Sequence, residues 1–205
     1  MLKRLRALFG RIDLIAAAAT APIEPPPERP VLTASWVHAR LSRPVLYTSI
    51  DDYRLEVARR RHPAQVEQTR DAAARILEHK FDLLGSGVFV PVDPDRASRD
   101  GYTPIDWYLD PVRGLRFPRG IHYKAWKLYD MRPGSADVKY PWELARCQHW
   151  PVLGQAYRLT GDDRFALEIA RELDDFVEAN PVGVGVNWTC TMDLAIRAAN
   201  WAITL

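Results

Sequence analysis

Apolar residues recur at helical spacing in several stretches of this chain, and the terminators between them are easy to read. From about Pro63 to Leu84 one face carries Val66, Thr69, Ala73, Ile76, Leu77, Phe81 and Leu84. Pro63 is accepted in a first helical turn, and Gly85 and Gly87 supply the stop. A second helix opens with Pro141 in its first turn, turns Leu144, Cys147, Val152 and Leu159 inward, is kinked at Pro151 and closes at Gly161. Asp162 then caps a third, whose stripe of Phe165, Ile169, Leu173, Phe176 and Val177 ends at Asn180 and Pro181. Thr189 or Thr191 caps the last, with Met192, Ile196, Ala199 and Ile203 inward and Asp193, Arg197 and Asn200 on another face. The pattern predicts an all-α protein. Short connections make successive helices antiparallel neighbours, an arrangement shared by bundles, solenoids and closed toroids, and internal repetition is too weak to choose among them.

Outside these helices the chain changes character. Residues 1–15, MLKRLRALFGRIDLI, place Leu2, Leu5, Phe9, Ile12 and Ile15 on one helical face with basic residues mainly elsewhere, a pattern that suits contact with a membrane surface. A basic start followed by AAAATA also fits a secretory leader, although Arg11 and Asp13 interrupt its apolar region. PIEPPPERP at 22–30 reads as an extended linker. The domain reading is therefore a leader and linker at 1–30, a basic segment at 31–62 with no assigned role, and a helical region at 63–205. Residues 88–119 are too rich in Pro, Gly and Asp for a long helix and read as a surface excursion. No run of about 18 apolar residues is present to form a spanning helix.

Composition narrows the chemistry. A hydrophobic content of 47% suits a globular chain. The net charge of +2 hides an uneven distribution: Pro111 to Arg146 holds eight basic residues against three acidic ones, leaving the remainder at −3. Six aromatic residues, Phe117, Tyr123, Trp126, Tyr129, Tyr140 and Trp142, share that window. Such a segment either binds an anionic chain or is a solvated basic face over core aromatics. Cys147 and Cys190 lack metal-ligand spacing, and no His pair at such spacing is nearby. GxSxG, GxxxxGK[ST], HExxH and zinc-finger patterns are absent. No metal and no cofactor is expected, and a near-neutral chain without a recognised motif argues against nucleic acid.

Three groups of residues have the chemistry to hold a polar polymer. Asn187 and Trp188 follow VGVGV and suit hydrogen bonding and ring stacking on a sugar; the structural alternative is a loop Asn and a core Trp. Arg197, near Asn200 and Trp201, has the planar fork for a carboxylate or sulfate, or is held internally by Asp193. Trp142, Arg146 and His149 form the third group, in which Glu143 at i,i+3 from Arg146 allows a salt bridge under the Trp142 ring. A lone helical His such as His149 is more often structural than a ligand.

The segments KYPWELARCQHW, AYRLTGDDRFA and ANPVGVGVNWTCTMDLAIRAANW resemble the N-terminal region of heparinase II/III-like polysaccharide lyases, over roughly residues 63–205. The resemblance implies an incomplete α/α toroid of antiparallel helical hairpins, normally followed by a β-sandwich, and an acidic, uronate-containing polysaccharide as partner. It implies β-elimination, in which the sugar carboxylate is neutralised, a base removes the C5 proton and an acid protonates the departing oxygen. The family's neutralising Asn and its catalytic Tyr and His lie on later helices and the sandwich, so no catalytic residue is assigned to this chain and no turnover is expected from it alone. Periplasmic or secreted action follows from the polymer, with a cytoplasmic or membrane-associated role left open. The competing readings are a non-catalytic polysaccharide-binding module in synthesis or export and a helical protein-interaction scaffold. An open toroid portion exposes an apolar edge. Size-exclusion chromatography is expected to show self-association, and a monodisperse, cooperatively unfolding monomer would count against that edge.

Overall fold

The computed structural model describes residues 52–127 and 136–205. The leader, the Pro-rich linker, most of the basic segment at 31–62, and Tyr129, Asp130 and Arg132 lie outside the described residues. Six α-helices carry the architecture among them: α1 Asp52–Arg61, α2 Pro63–Leu77, α3 Lys139–Ala145, α4 Trp150–Thr160, α5 Asp163–Ala179 and α6 Thr191–Thr204. The only sheet among these residues is a two-stranded hairpin, β1 Leu109–Asp110 with β2 Leu115–Arg116. The protein is all-α, as the periodicity predicts.

The central helix is α4, which packs against α2, α5 and α6. Its inward residues Trp150, Leu153, Ala156 and Tyr157 are buried, and Gly161 ends it in the left-handed conformation that glycine adopts without penalty. Asp162 follows at once, its side chain accepting from the Arg164 N–H at 3.0 Å to cap α5. This two-residue connection sends α5 back along α4. From the basic segment, α1 contributes Leu55 to the interior, and its Arg59 guanidinium donates to the Leu159 carbonyl (2.9 Å) at the end of α4. A cation at a helix C-terminus satisfies orphan carbonyls and the dipole together.

Four sequence expectations are corrected. First, α2 stops at Leu77 rather than running to Leu84. His79 takes the left-handed position (φ +50°), with His79 N–H bonded to Ile76 O and Lys80 N–H to Arg75 O, a Schellman ending without glycine. Phe81 then pairs with Phe89 across a bridge, and Leu84 is exposed. Second, Pro151 does not kink a continuous helix. Cys147 is left-handed (φ +54°) and separates α3 from α4, so Pro151 falls in the first turn of α4, where its missing N–H costs nothing. Third, α6 is inverted relative to its apolar pattern: Asp193, Arg197 and Thr204 are buried, whereas Met192 (59%) and Ile203 (51%) face solvent. Neither Thr189 nor Thr191 caps it; the cap position is Cys190, without a side-chain bond, while Thr189 donates to Val186 O. On α5, Val177 is exposed although Phe165, Ile169 and Phe176 are buried as expected.

The fourth correction concerns residues 88–119, which are not a surface excursion. Ile105, Trp107, Tyr108 and Phe117 are core residues, and Asp93, Asp106 and Asp110 are buried with them. These carboxylates replace the missing secondary structure. Asp110 accepts from Val112, Arg113 and Asp137 N–H groups, and Asp106 accepts from Tyr108 N–H and Arg116 Nε. Asp93 accepts from Asp95 N–H, Arg96 Nε (2.6 Å) and Arg119 Nη2 (2.8 Å). Part of the basic window is thus neutralised by acids that precede it in sequence.

Burial opposes ionisation of Asp93, yet the bonds from Arg96, Asp95 and Arg119 outweigh it and hold the carboxyl below its usual range. A depressed carboxyl contributes stability that is present above its unfolded pKa and lost as pH falls through the folded value. Urea midpoints are therefore expected to drop as pH is lowered below about 4. Asp93→Asn should flatten that slope, and an unchanged slope in the variant would show that other carboxyls dominate.

Candidate functional site

Several of the residues singled out in the sequence lie at or next to one turn, Val186–Trp188. The glycine-rich approach to it is held by Gly185 N–H bonded to Ile121 O (2.7 Å) and Tyr123 N–H bonded to Gly183 O (2.8 Å). Gly185 has φ +99°, and a Cβ there would collide with Tyr108 Oη and approach the ring to 3.0 Å. Val186–Trp188 then forms a single 3₁₀ turn ahead of α6. Trp142 Nε1 donates to Val186 O at 2.9 Å, which fastens α3 to this turn.

Asn187 is 1% exposed, and its amide Nδ2 donates to Trp107 O and Asn180 Oδ1, both at 2.9 Å. Its side chain ties the irregular segment and the end of α5 to the turn, so it does not line an open surface. Its backbone carbonyl accepts from Arg197 Nη2 at 2.7 Å. Arg197 is 3% exposed, lies 4.5 Å from the Phe176 ring centroid and 5.3 Å from that of Trp188, and leaves Nε and Nη1 without an acceptor. Burial pulls its pKa down, the direction expected for a cation in apolar surroundings.

Asp193 does not hold Arg197. Its Oδ1 takes Arg146 Nε at 2.6 Å, while Oδ2 is buried without a partner. Arg146 also pairs with Glu143, as the i,i+3 spacing predicts, and its carbonyl accepts from Asn200 Nδ2 at 2.8 Å. Burial disfavours its charge, but Asp193 and Glu143 more than restore it and raise the pKa. Trp142 donates to the turn rather than capping this salt bridge. Trp201 stacks on Trp150 (5.4 Å, 11°) and meets Phe176 edge-on. Six of the seven predicted residues are therefore linked through the turn and α6: Asn187 and Trp188 on the turn, Trp142 and Arg197 bonded to it, Arg146 bonded to Asp193 at the start of α6, and Trp201 near its end, packed on Trp150 and Phe176.

His149 goes elsewhere. Its Nε2 lies 2.5 Å from Glu172 Oε2, which also accepts from Trp150 Nε1 at 2.8 Å. Glu172 lies on α5 one turn after Glu168, whose Oε1 is 2.7 Å from His79 Nε2. Burial opposes the charge on His79, but Glu168 and the nearby carboxylates raise its pKa. Burial also raises that of Glu168, whereas His149 and His79 outweigh burial at Glu172 and lower it. Sequence reasoning missed His79, Glu168 and Glu172: the glutamates are i,i+4 on one helix, but the His is 89 residues before the first of them. Only the i,i+4 pair could have signalled the cluster.

The family described as Heparinase II/III N-terminus matches residues 40–203. No curated protein and no solved structure matches the chain.

Gly185→Ala is expected to destabilise the protein by about 2 kcal/mol, through strain at positive φ and overlap with Tyr108. Adding Tyr108→Phe removes the closest atom and should recover part of the loss in a double-mutant cycle. Additive losses would show that the backbone conformation alone requires glycine.

Proposed function

Because the chain belongs to the heparinase II/III N-terminus family, we propose that it is the polysaccharide-binding helical part of a lyase-like protein. The proposed reaction is β-elimination on a uronate-containing acidic polysaccharide. The match over residues 40–203 carries this reading. On it, the helices form part of a toroid and act on a polymer found in the periplasm or outside the cell. The site geometry supports a binding role: Trp142, Trp188 and Trp201 are partly exposed, Trp142 is bonded to the turn that carries Trp188, and Trp201 packs on Phe176 beside the buried Arg197. Indole faces stack on the apolar faces of sugar rings, while Arg197 and Arg146, held internally, brace the elements that carry them.

Elimination also needs a base and an acid within hydrogen-bond reach of the reacting atoms. His149 is committed to Glu172, and Tyr157 is buried on α4. The reading therefore gives proton transfer to neither His149 nor Tyr157, and the chain is proposed to bind without turnover. The outward Met192 and Ile203 of α6 favour an additional apolar contact on that face, with a second copy or another part of a larger protein.

The test is affinity electrophoresis through gels containing alginate or heparan sulfate, with absorbance of the unsaturated uronate product followed in parallel. The chain should be retarded, retardation should weaken with salt, and absorbance should not rise. Trp188→Ala should weaken retention about tenfold, equivalent to about 1.4 kcal/mol. Mobility indifferent to every uronate polymer would overturn the binding role, and product formation would place the proton-transfer groups within this chain.

A further inference from the structure

The Glu168 and Glu172 pair on α5 faces inward, beside the turn that ends α2 and the junction between α3 and α4. One ligand atom from each of His79, Glu168 and Glu172 lies within 4.8 Å of the others, and all three residues are buried. The partners around them are unevenly used. Glu172 Oε2 is saturated by His149 and Trp150, but Glu172 Oε1, fully enclosed, has no partner. A buried carboxylate oxygen left unsatisfied is costly, and native interiors retain few of them.

We propose that His79, Glu168 and Glu172 bind a divalent first-row transition-metal ion of the zinc type. One imidazole nitrogen and two carboxylate oxygens match the donor preferences of that class. Calcium would demand six or more oxygen ligands, and magnesium would keep several waters, whereas three protein donors leave a four-coordinate zinc-type ion a single position for a second carboxylate oxygen or one water. With the His79 ring neutral and both carboxyls deprotonated, as ligation requires, the three donors carry two negative charges, which a divalent ion balances. Ligand atoms around a tetrahedral zinc lie about 3.4 Å apart, so the observed spread closes with side-chain adjustment rather than backbone movement.

The surroundings have the form of a supporting shell. His149 and Trp150 hold Glu172 by one oxygen and leave the other for the ion, as outer hydrogen bonds do for metal-binding carboxylates. The ion fastens the exit of α2 to α5, and the bonds of His149 and Trp150 to Glu172 carry that tie to the start of α4. This role is structural and independent of polysaccharide. It also differs from the sequence expectation, because the donors come from positions 79, 168 and 172 rather than from a local motif.

The experiment uses the whole chain, stripped with chelator and then loaded with Zn²⁺ or Co²⁺. About one ion per chain should survive gel filtration, and the unfolding midpoint should rise by about 5 °C over the stripped protein. The Co²⁺ form should show visible d–d absorption of a low-coordinate nitrogen and oxygen site. Glu172→Gln and His79→Gln should each lower retained metal at least tenfold, whereas His122→Gln, at an exposed His, should leave it unchanged. If those variants fail to fold, the Co²⁺ spectrum of the unaltered chain decides. Absence of both retained metal and a cobalt band would overturn the proposal, as would stoichiometry that follows His122 instead. Metal content is read without polysaccharide, so failure here leaves the binding role untouched.

Discussion

Three carboxylates on the buried face of α5 organise the molecule. Glu168 reaches His79, Glu172 reaches His149 and Trp150, and Asp175 accepts from Trp107 Nε1 (2.7 Å), Ile105 N–H (3.1 Å) and Arg96 Nη1 (2.6 Å). They stand four and three residues apart, so one helical face addresses the exit of α2, the start of α4 and the middle of the irregular segment in turn. Enclosing such groups costs several kcal/mol each unless they are paired, and each pairing here is to a different part of the chain. The fold is thus specified by where those partners must be, while Phe165, Ile169 and Phe176 supply the apolar contact on the same face.

The same device recurs where secondary structure is sparse. Asp93, Asp106 and Asp110 take backbone N–H groups and arginines in place of helix or sheet bonds, which lets Trp107, Tyr108 and Phe117 enter the core from a segment with only a two-residue hairpin. Tyr108 then sets the path of the turn before α6: its hydroxyl donates to Ala179 O, and its ring abuts Gly185. Burial pushes its phenol up to about 12, so it remains a neutral donor near neutral pH. The turn that carries Asn187 and Trp188 is positioned by the irregular segment as much as by the helices.

A division of labour between the two faces of α6 connects structure to function. Its polar residues Asp193 and Arg197 lie inside, tied to α3 and to the turn, and its apolar Met192 and Ile203 lie outside. An inward guanidinium between Phe176 and Trp188 stiffens the aromatic group from behind, through cation–π contact that is stronger when desolvated. Trp188 is thereby held in a fixed orientation, which on the proposed binding role would limit the entropy lost if a sugar ring stacks on it.

The sequence by itself determined the helical class and the boundaries set by local chemistry. Gly161, Asp162 and Asn180 act where they stand because caps and left-handed turns are satisfied by neighbouring backbone. It also brought out the segments that carry the family likeness and most of the residues around the Val186–Trp188 turn. Only the tertiary structure decided which way α6 faces, that α2 ends at Leu77 with His79 left-handed beyond it, that Cys147 rather than Pro151 breaks the helix, and that the acids of 88–119 are internal. Each of these depends on a partner distant in sequence or on a residue in a conformation its type seldom adopts. A charged side chain reads as solvent-facing until its partner is known, and Glu168 and His79 meet only after 88 intervening residues have folded between them.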